Sequence, residues 1–292
     1  MEKKLRLRFI TCAVDEAFFN TIKQGMRDAA DMMGVEAEFT GVEGVDLEAQ
    51  ADMVREAVAA GCDGIALNII HATAFDEVMR EALDKGVPVV AFNVDGTYGN
   101  GPHLSSVNQD LYGAGRTLGE RAAEYLTDGA KVLITMHDEG ISALEDRARG
   151  IQEVIAETRQ ATWDTVVTGI DPERAAEIIG EKLAADPAIG AVLGTGQADT
   201  EGAGLALERC AGERDYFAAG FDLSPEILRL VKEGVIAFTI DQQPYVQGFY
   251  PVVQLALYCR YGIAPSNMDS GAGIITRENV DGVMEFSARG YR

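Results

Sequence analysis

The chain has 292 residues, enough for two domains of ordinary size. Hydrophobic residues make up 47% and charged residues 25%, the balance of a globular protein rather than a disordered one. Its 25 Lys and Arg stand against 47 Asp and Glu, a net charge of −22 that repels phosphate backbones and argues against nucleic acid as a partner.

Short apolar runs alternate with amphipathic stretches from the start. Leu5–Ala13 reads as a strand and Phe18–Met33 as a helix, with apolar residues recurring at three and four. Ala37–Thr40 is a strand, Leu47–Ala60 a helix and Gly64–Asn68 a buried strand, followed by helix Thr73–Lys85 and strand Val87–Phe92. Gly34, Gly61 and Gly86 each follow a helix, where a left-handed cap needs no Cβ. The turn-rich stretch Asp95-Gly-Thr-Tyr-Gly-Asn-Gly-Pro breaks this rhythm. It then restarts with helix Asp110–Leu126, strand Lys131–Met136, helix Asp146–Thr158 and strand Thr165–Gly169. Helix Pro172–Ala185, strand Ala191–Thr195, helix Thr200–Ala211, strand Phe217–Phe221 and helix Pro225–Glu233 follow, with prolines placed where a missing N–H does no harm. Strand Ala237–Asp241, helix Tyr245–Tyr261 and strand Gly271–Thr276 complete the chain and are open to either half. The alternation predicts right-handed βαβ crossovers and parallel sheets, arranged as two similar α/β lobes with a cleft between them.

No run of 18 apolar residues is present, so no membrane-spanning helix is expected. The start leads straight into a strand without a signal-peptide core, leaving two readings: a cytosolic protein, or one whose export signal precedes this numbering. Cys12 and Cys62 lie in apolar contexts suited to free thiols, while Cys210 and Cys259 leave a disulfide open. Gly194-Thr-Gly196 and Gly113-Ala-Gly115 do not complete a dinucleotide fingerprint, and no phosphate loop or nucleophile elbow occurs. His71, His103 and His137 lack zinc spacing. No catalytic pair, metal or cofactor is therefore expected.

Four distant segments place polar side chains where a strand gives way to a helix or turn: Asp15–Asn20, Glu145–Arg147, Gly220–Asp222 and Asp241–Pro244. Strand ends are where open parallel sheets bind ligands. Phe18 and Phe19 point roughly 100° apart at a helix start, so both do not fit one core comfortably; either ring suits stacking on the C–H face of a sugar, the alternative being a core staple. Arg147, expected at a helix beginning where the dipole disfavours a cation, offers a planar fork to hydroxyls; the alternative is a pairing with Glu145 or Asp146. Because Ser224 is the better cap for the helix at Pro225, Asp222 is free to accept hydroxyl protons. The amides of Gln242 and Gln243 both donate and accept. Asn93 and Asp95 end a strand but are equally good turn formers. Asn108, Thr195 and Gln197 rank below these.

These residues, in this order, resemble the periplasmic sugar-binding proteins of ABC transporters, the ribose-binding-like (type I) group. The resemblance covers essentially the whole length and is carried by Ala17-Phe18-Phe19-Asn20, Ala60–Asn68, Gly86–Asn93, Asp146-Arg147-Ala-Arg-Gly150, Ala219-Gly-Phe-Asp222 and Thr239-Ile-Asp-Gln242. It implies an α/β fold of two Rossmann-like lobes with parallel sheets joined by a three-strand hinge. The crossings would fall near Asn108, Ile240–Gln242 and Ile274–Arg277, giving lobes of 1–108 plus 241–274 and 109–240 plus 275–292. The family's ligand-binding positions match Phe18, Phe19, Arg147, Asp222 and Gln242, to which the residues themselves add Asn93, Asp95 and Gln197. The expected function is capture of a neutral monosaccharide or polyol by hinge closure and delivery to a membrane permease, by a monomer outside the cytoplasm. A sugar sensor relaying occupancy to a membrane receptor is the alternative; a DNA-binding repressor would need an N-terminal helix-turn-helix, and an enzyme would need a base, metal or phosphate loop. Two departures from ribose binders, Asn93-Val94 for Asp-Arg and Gln197-Ala198-Asp199 for Gln-Asn-Asp, alter the hydroxyl pattern that can be satisfied. An unpaired buried polar group costs about 1–3 kcal/mol, so ribose is not expected to be the best ligand.

Overall fold

A computed structural model describes residues 4–210 and 215–292. In chain order it places β1 Arg6–Thr11, α1 Phe19–Met33, β2 Glu36–Gly41, α2 Leu47–Ala59, β3 Gly64–Ile69, α3 Asp76–Asp84, β4 Val89–Asp95 and β5 Ser106–Asn108. There follow α4 Leu111–Ala123, β6 Lys131–Met136, α5 Ser142–Arg159, β7 Thr162–Val167, α6 Pro172–Ala185, β8 Ile189–Gly194, α7 Gln197–Arg209 and β9 Phe217–Phe221. The chain ends with α8 Pro225–Glu233, β10 Phe238–Asp241, α9 Pro244–Tyr261, β11 Met268–Asp269, β12 Gly273–Thr276 and α10 Val280–Ala288. Ala211, the expected end of the helix after β8, lies outside the described residues.

Two compact units result. The first runs to Gln109 and takes back Gln243–Ser270 and Tyr291; the second holds Asp110–Gln242, Gly271–Gly290 and Arg292. The chain therefore passes between them at Gln109/Asp110, Gln242/Gln243 and Ser270/Gly271. The last passage precedes the Ile274–Arg277 region because β12 pairs along its whole length with β10 of the second unit.

The first unit carries a six-stranded sheet in the order β11-β5-β4-β3-β1-β2, and the second one in the order β12-β10-β9-β8-β6-β7. β3 is buried at every residue, as a parallel strand covered on both faces should be. One expectation needs correction: β12 runs antiparallel to β10. It enters its sheet from β11 across Ser270–Ala272, and α9, the helix between β10 and β12, packs on α1 in the first unit rather than crossing over the second unit's sheet.

The helix bearing Arg147 also starts earlier than its charges suggest. α5 begins at Ser142, where the preceding Ile141 supplies no capping side chain and Glu145 instead accepts from Gly140 N at 3.0 Å. Arg147 thus lies in the second turn, beyond the reach of the terminal dipole.

In each unit one helix pair meets through glycines. In the first, a Cβ on Gly25 of α1 or Gly248 of α9 would run into the facing backbone, at Tyr245 and Ile22 respectively. In the second, Gly115 of α4 meets the backbone of Arg147, and Gly150 of α5 that of Tyr112 and Arg116. All four cysteines are free thiols. No helix among the described residues is long and apolar enough to cross a membrane.

Candidate functional site

The second unit brings Arg147, Asp222 and Gln242 together at the carboxyl ends of its strands. Arg147 is only 3% exposed. Its Nη1 donates to Thr195 O at 2.9 Å, and its guanidinium lies 4.1 Å from the centroid of the Phe221 ring. Asp146, a candidate partner for Arg147, takes an ion pair from Arg149 at 2.9 Å. Asp222 follows β9 in a left-handed conformation, φ 74°, held by its N–H to Ile240 O at 2.9 Å and by Thr239 Oγ1 donating to its carbonyl at 2.8 Å. Aspartate is among the few non-glycine residues that tolerate this region. Ser224 caps α8 by accepting from Ile227 N at 3.0 Å, which leaves the Asp222 carboxylate for other work. Gln242 Nε2 donates to Asp222 Oδ1 at 2.6 Å.

Both charged members of this cluster are withdrawn from water. Burial pushes the Asp222 carboxyl above its usual value, opposed by the Arg147 charge and the Gln242 hydrogen bond. Burial likewise pushes the Arg147 guanidinium down, opposed by Asp222 and Asp199. Burial is thus offset by opposite charge and hydrogen bonds within the cluster.

Asp199 was not singled out from the sequence, yet it builds the floor of this cluster. Fully buried, it accepts from Thr135 Oγ1 at 2.9 Å, Thr195 N at 2.7 Å and Gly196 N at 3.0 Å. It fixes the end of β8, and so the Thr195 carbonyl that holds Arg147. Gln197 is the first residue of α7, partly buried beside this turn.

The first unit places Phe18, Phe19, Asn93 and Asp95 after β1 and at the end of β4. Phe19 is 4% exposed and packs 5.8 Å from Phe39 within the apolar core, which leaves the half-buried Phe18 ring, edge-on to it at 5.3 Å, as the more accessible face. The core-staple alternative therefore describes Phe19 better than Phe18.

Asn93 sits at a bulge, where the β3–β4 register shifts from Leu67↔Ala91 to Ile69↔Asp95, and adopts φ 63°. Bulges re-aim side chains next to functional sites. Its Nδ2 donates to Gln247 Oε1 at 2.9 Å, and its Oδ1 accepts from Asn68 Nδ2 at 3.4 Å. Asp95 turns into its own loop: it accepts from Thr97 Oγ1 at 2.6 Å, Thr97 N at 3.1 Å and Gly99 N at 3.1 Å, with His103 Nε2 3.2 Å away. Burial raises its carboxyl, but the bonds from His103 and Thr97 outweigh this and hold it below the usual carboxylate value. Asn108 ends β5 with Nδ2 donating to Gln109 O at 3.1 Å.

Asn68 and Gln247, buried polar residues bonded to Asn93, are further residues missed in the sequence. The only available signal for Asn68 was an amide closing an apolar strand. A separate cavity of about 600 Å³ in the first unit, lined by Cys62, Asp63, Lys85 and Tyr258, lies at the opposite, amino ends of the strands. No cluster able to hold a metal ion occurs among the described residues. The strand-end groups donate and accept hydrogen bonds and present rings, which is the chemistry of holding a polyhydroxylated molecule.

Residues 8–262 match the periplasmic binding protein domain family. The xylose/arabinose-binding protein XylF of Sulfolobus acidocaldarius is 29% identical over 290 residues, covering 94% of this chain and 72% of that one. The ribose import binding protein RbsB of Salmonella typhimurium is 24% identical, covering 82% of this chain and 79% of its own. Among solved structures, a carbohydrate transporter from Acidothermus cellulolyticus in complex with myo-inositol is 27% identical with a TM-score of 0.86, covering 99% of this chain and all of that one. With the family model matching residues 8–262 and relatives aligned over most of the chain, the chain belongs to the periplasmic binding protein family, as a sugar-binding, ribose-binding-like (type I) solute receptor of the ABC transporter class.

Proposed function

We propose that the ligand is a neutral pentose or cyclic polyol, held by Arg147, Asp222 and Gln242 of the second unit together with Phe18 and Asn93 of the first, with Gln197 contributing at the rim. Phe19 backs the Phe18 ring, and Asp95 shapes the loop that follows Asn93. The carrying observation is the buried trio of Arg147, Asp222 and Gln242, with Gln242 bonded to the Asp222 carboxylate and the Arg147 guanidinium stacked on Phe221. A carboxylate and a guanidinium side by side match the vicinal hydroxyls of a sugar, which donate to the first and accept from the second. The xylose/arabinose-binding relative and the inositol-bound neighbour support pentoses and polyols as the class to test first.

The protein works outside the cytoplasm as a monomer, and its sugar-loaded form is recognised by a membrane permease. The three chain passages act as the hinge, and ligand favours the closed form to the extent that it binds that form better.

A thermal-shift panel of D-xylose, L-arabinose, D-ribose, D-glucose and myo-inositol tests this reading. At 100 times Kd a single site adds about 2.7 kcal/mol. In a chain of this size that raises Tm by about 5–10 °C. A panel in which no sugar moves Tm defeats the proposal.

A further inference from the structure

Five buried polar side chains form a continuous hydrogen-bonded line across the first unit. Asn68 Nδ2 donates to Thr11 Oγ1 at 2.9 Å and to Asn93 Oδ1 at 3.4 Å. Asn93 Nδ2 donates to Gln247 Oε1 at 2.9 Å, and Gln247 Nε2 donates to Ser270 Oγ at 2.9 Å. Thr11 and Gln247 are fully buried, Asn68 is 1% exposed and Ser270 3%. The line ends on the chain passages themselves. Ser270 is the last residue before the third passage, and its carbonyl accepts from Gln243 Nε2, just past the second, at 2.8 Å. Ser270 N in turn donates to Asn108 O, one residue before the first passage ends at Gln109, at 2.8 Å.

A core that needed only stability would fill these positions with apolar side chains, because a polar line is sensitive to the loss of any member. Two members of the arrangement are also strained: Asn93 at φ 63° and Gln243 at φ 53° occupy the left-handed region, which costs non-glycine residues of order 1–3 kcal/mol each. Strain at the middle of a hydrogen-bonded line and beside its Ser270 end suits a two-position element.

We propose that Gln247 and Ser270 are positioning residues that couple sugar contact at Asn93 to the three chain passages. The proposal rests on the assignment of Asn93 to the sugar site. Sugar bound at Asn93 fixes its amide, Gln247 carries that orientation to the Ser270 hydroxyl, and Ser270 sets the backbone joining all three passages.

A double-mutant cycle on the full chain tests the coupling, using whichever of D-xylose, L-arabinose, D-ribose or myo-inositol the wild type binds most tightly. Ser270→Ala leaves the Asn93–Gln247 bond available but cuts the line at its far end. It is expected to weaken binding about 2- to 10-fold, the worth of one net hydrogen bond. In an Asn93→Ala background the same substitution is expected to cost nothing further, because its effect travels through Asn93. A purely structural Ser270 would lower Tm and give the same fold-loss in both backgrounds. Wild-type affinity in Ser270→Ala, or an undiminished loss beside Asn93→Ala, overturns the proposal. If Ser270→Ala does not fold, Gln247→Met takes its place in the same cycle with the same two outcomes. A wild type that binds none of the four sugars removes the sugar reading and the coupling with it.

Discussion

Gly115→Ala is the sharpest probe of how the second unit holds its arginine. A Cβ on Gly115 would lie 2.8 Å from Arg147 Cα and closer still to the Arg147 carbonyl oxygen, both backbone atoms that cannot swing aside. Ordinary contact begins near 3.4 Å, so α5 must recede by at least 3.4 − 2.8 = 0.6 Å at the residue that carries the guanidinium. That guanidinium spans a 2.9 Å bond to Thr195 O and a 4.1 Å stack on Phe221, neither of which tolerates such a displacement unchanged. Overpacking of this kind costs about 1–3 kcal/mol. If the shift is expressed at the site, sugar affinity falls by roughly 5- to 150-fold. Gly180→Ala on α6 is the matched control: its Cβ meets nothing within 4 Å, and a helical glycine replaced by alanine gains about 0.5–1 kcal/mol. Titration calorimetry and thermal unfolding on both variants separate binding from stability. Wild-type affinity in Gly115→Ala, with folding intact, would show that the glycine contact does not position Arg147.

Asp222→Ala and Arg147→Ala each remove one member of a buried charged set and are expected to weaken sugar binding by at least about 30-fold in calorimetry; unchanged affinity in both removes them from the site. The Asp222 carboxyl is raised in the fold, so the folded state takes up its proton first as pH falls from neutral toward the usual 3.8. Its contribution to stability therefore improves over that window while sugar affinity declines, and Asp222→Asn should flatten both trends; a stability curve identical in the variant refutes the assignment. Asp95 has the opposite sign: held below 3.8, it contributes stability above that pH that is lost as pH falls further, so Asp95→Asn should blunt the acid limb of unfolding monitored by circular dichroism. Cys12, buried and pushed up to about 11, should be the last of the thiols to react with a disulfide reagent at pH 8, and rapid labelling there contradicts its burial. With a net charge of −22, Tm should rise between ~0.05 and ~1 M NaCl as the Debye length shrinks from about 14 to 3 Å, and a flat or falling Tm shows that self-repulsion is not a significant cost.

The α/β alternation was legible because each element carries its own period and its own stop. Gly34 and Gly234 occupy the left-handed caps of α1 and α8, and Pro172 and Pro225 open α6 and α8. What escaped had no local signature. β5 and β11 are three and two residues long, too short for alternation to show. α5 starts after an uncapped isoleucine, so its acidic residues drew the expected start to Asp146. Of the proposed site, Asp222 and Gln242 were legible from their positions at strand ends, and Arg147 from a resemblance across the chain. Asn68 and Gln247 were not, because the bond between Asn93 and Gln247 joins residues 154 apart in sequence. Asp95 read as a strand-end ligand, while its four donors come from the loop that follows it, and a loop's own hydrogen bonds leave no periodic trace.

Both units solve one positioning problem with the same device, and this argues that the glycines belong to function as much as to packing. In the second unit Gly115 and Gly150 let α4 and α5 touch backbone to backbone at Arg147 itself. In the first, Gly25 and Gly248 bring α1, which begins at Phe19, against α9, which carries Gln247. Gly248 adjoins Gln247, the partner of Asn93, just as Gly115 adjoins the backbone of Arg147. Side chains between helices deform under load, whereas backbone meeting backbone leaves no soft layer. A receptor that must discriminate hydroxyl patterns by placements of a fraction of an ångström gains from stiffness beneath its contacts, and in each unit a glycine contact lies within one residue of a site residue or its direct hydrogen-bond partner.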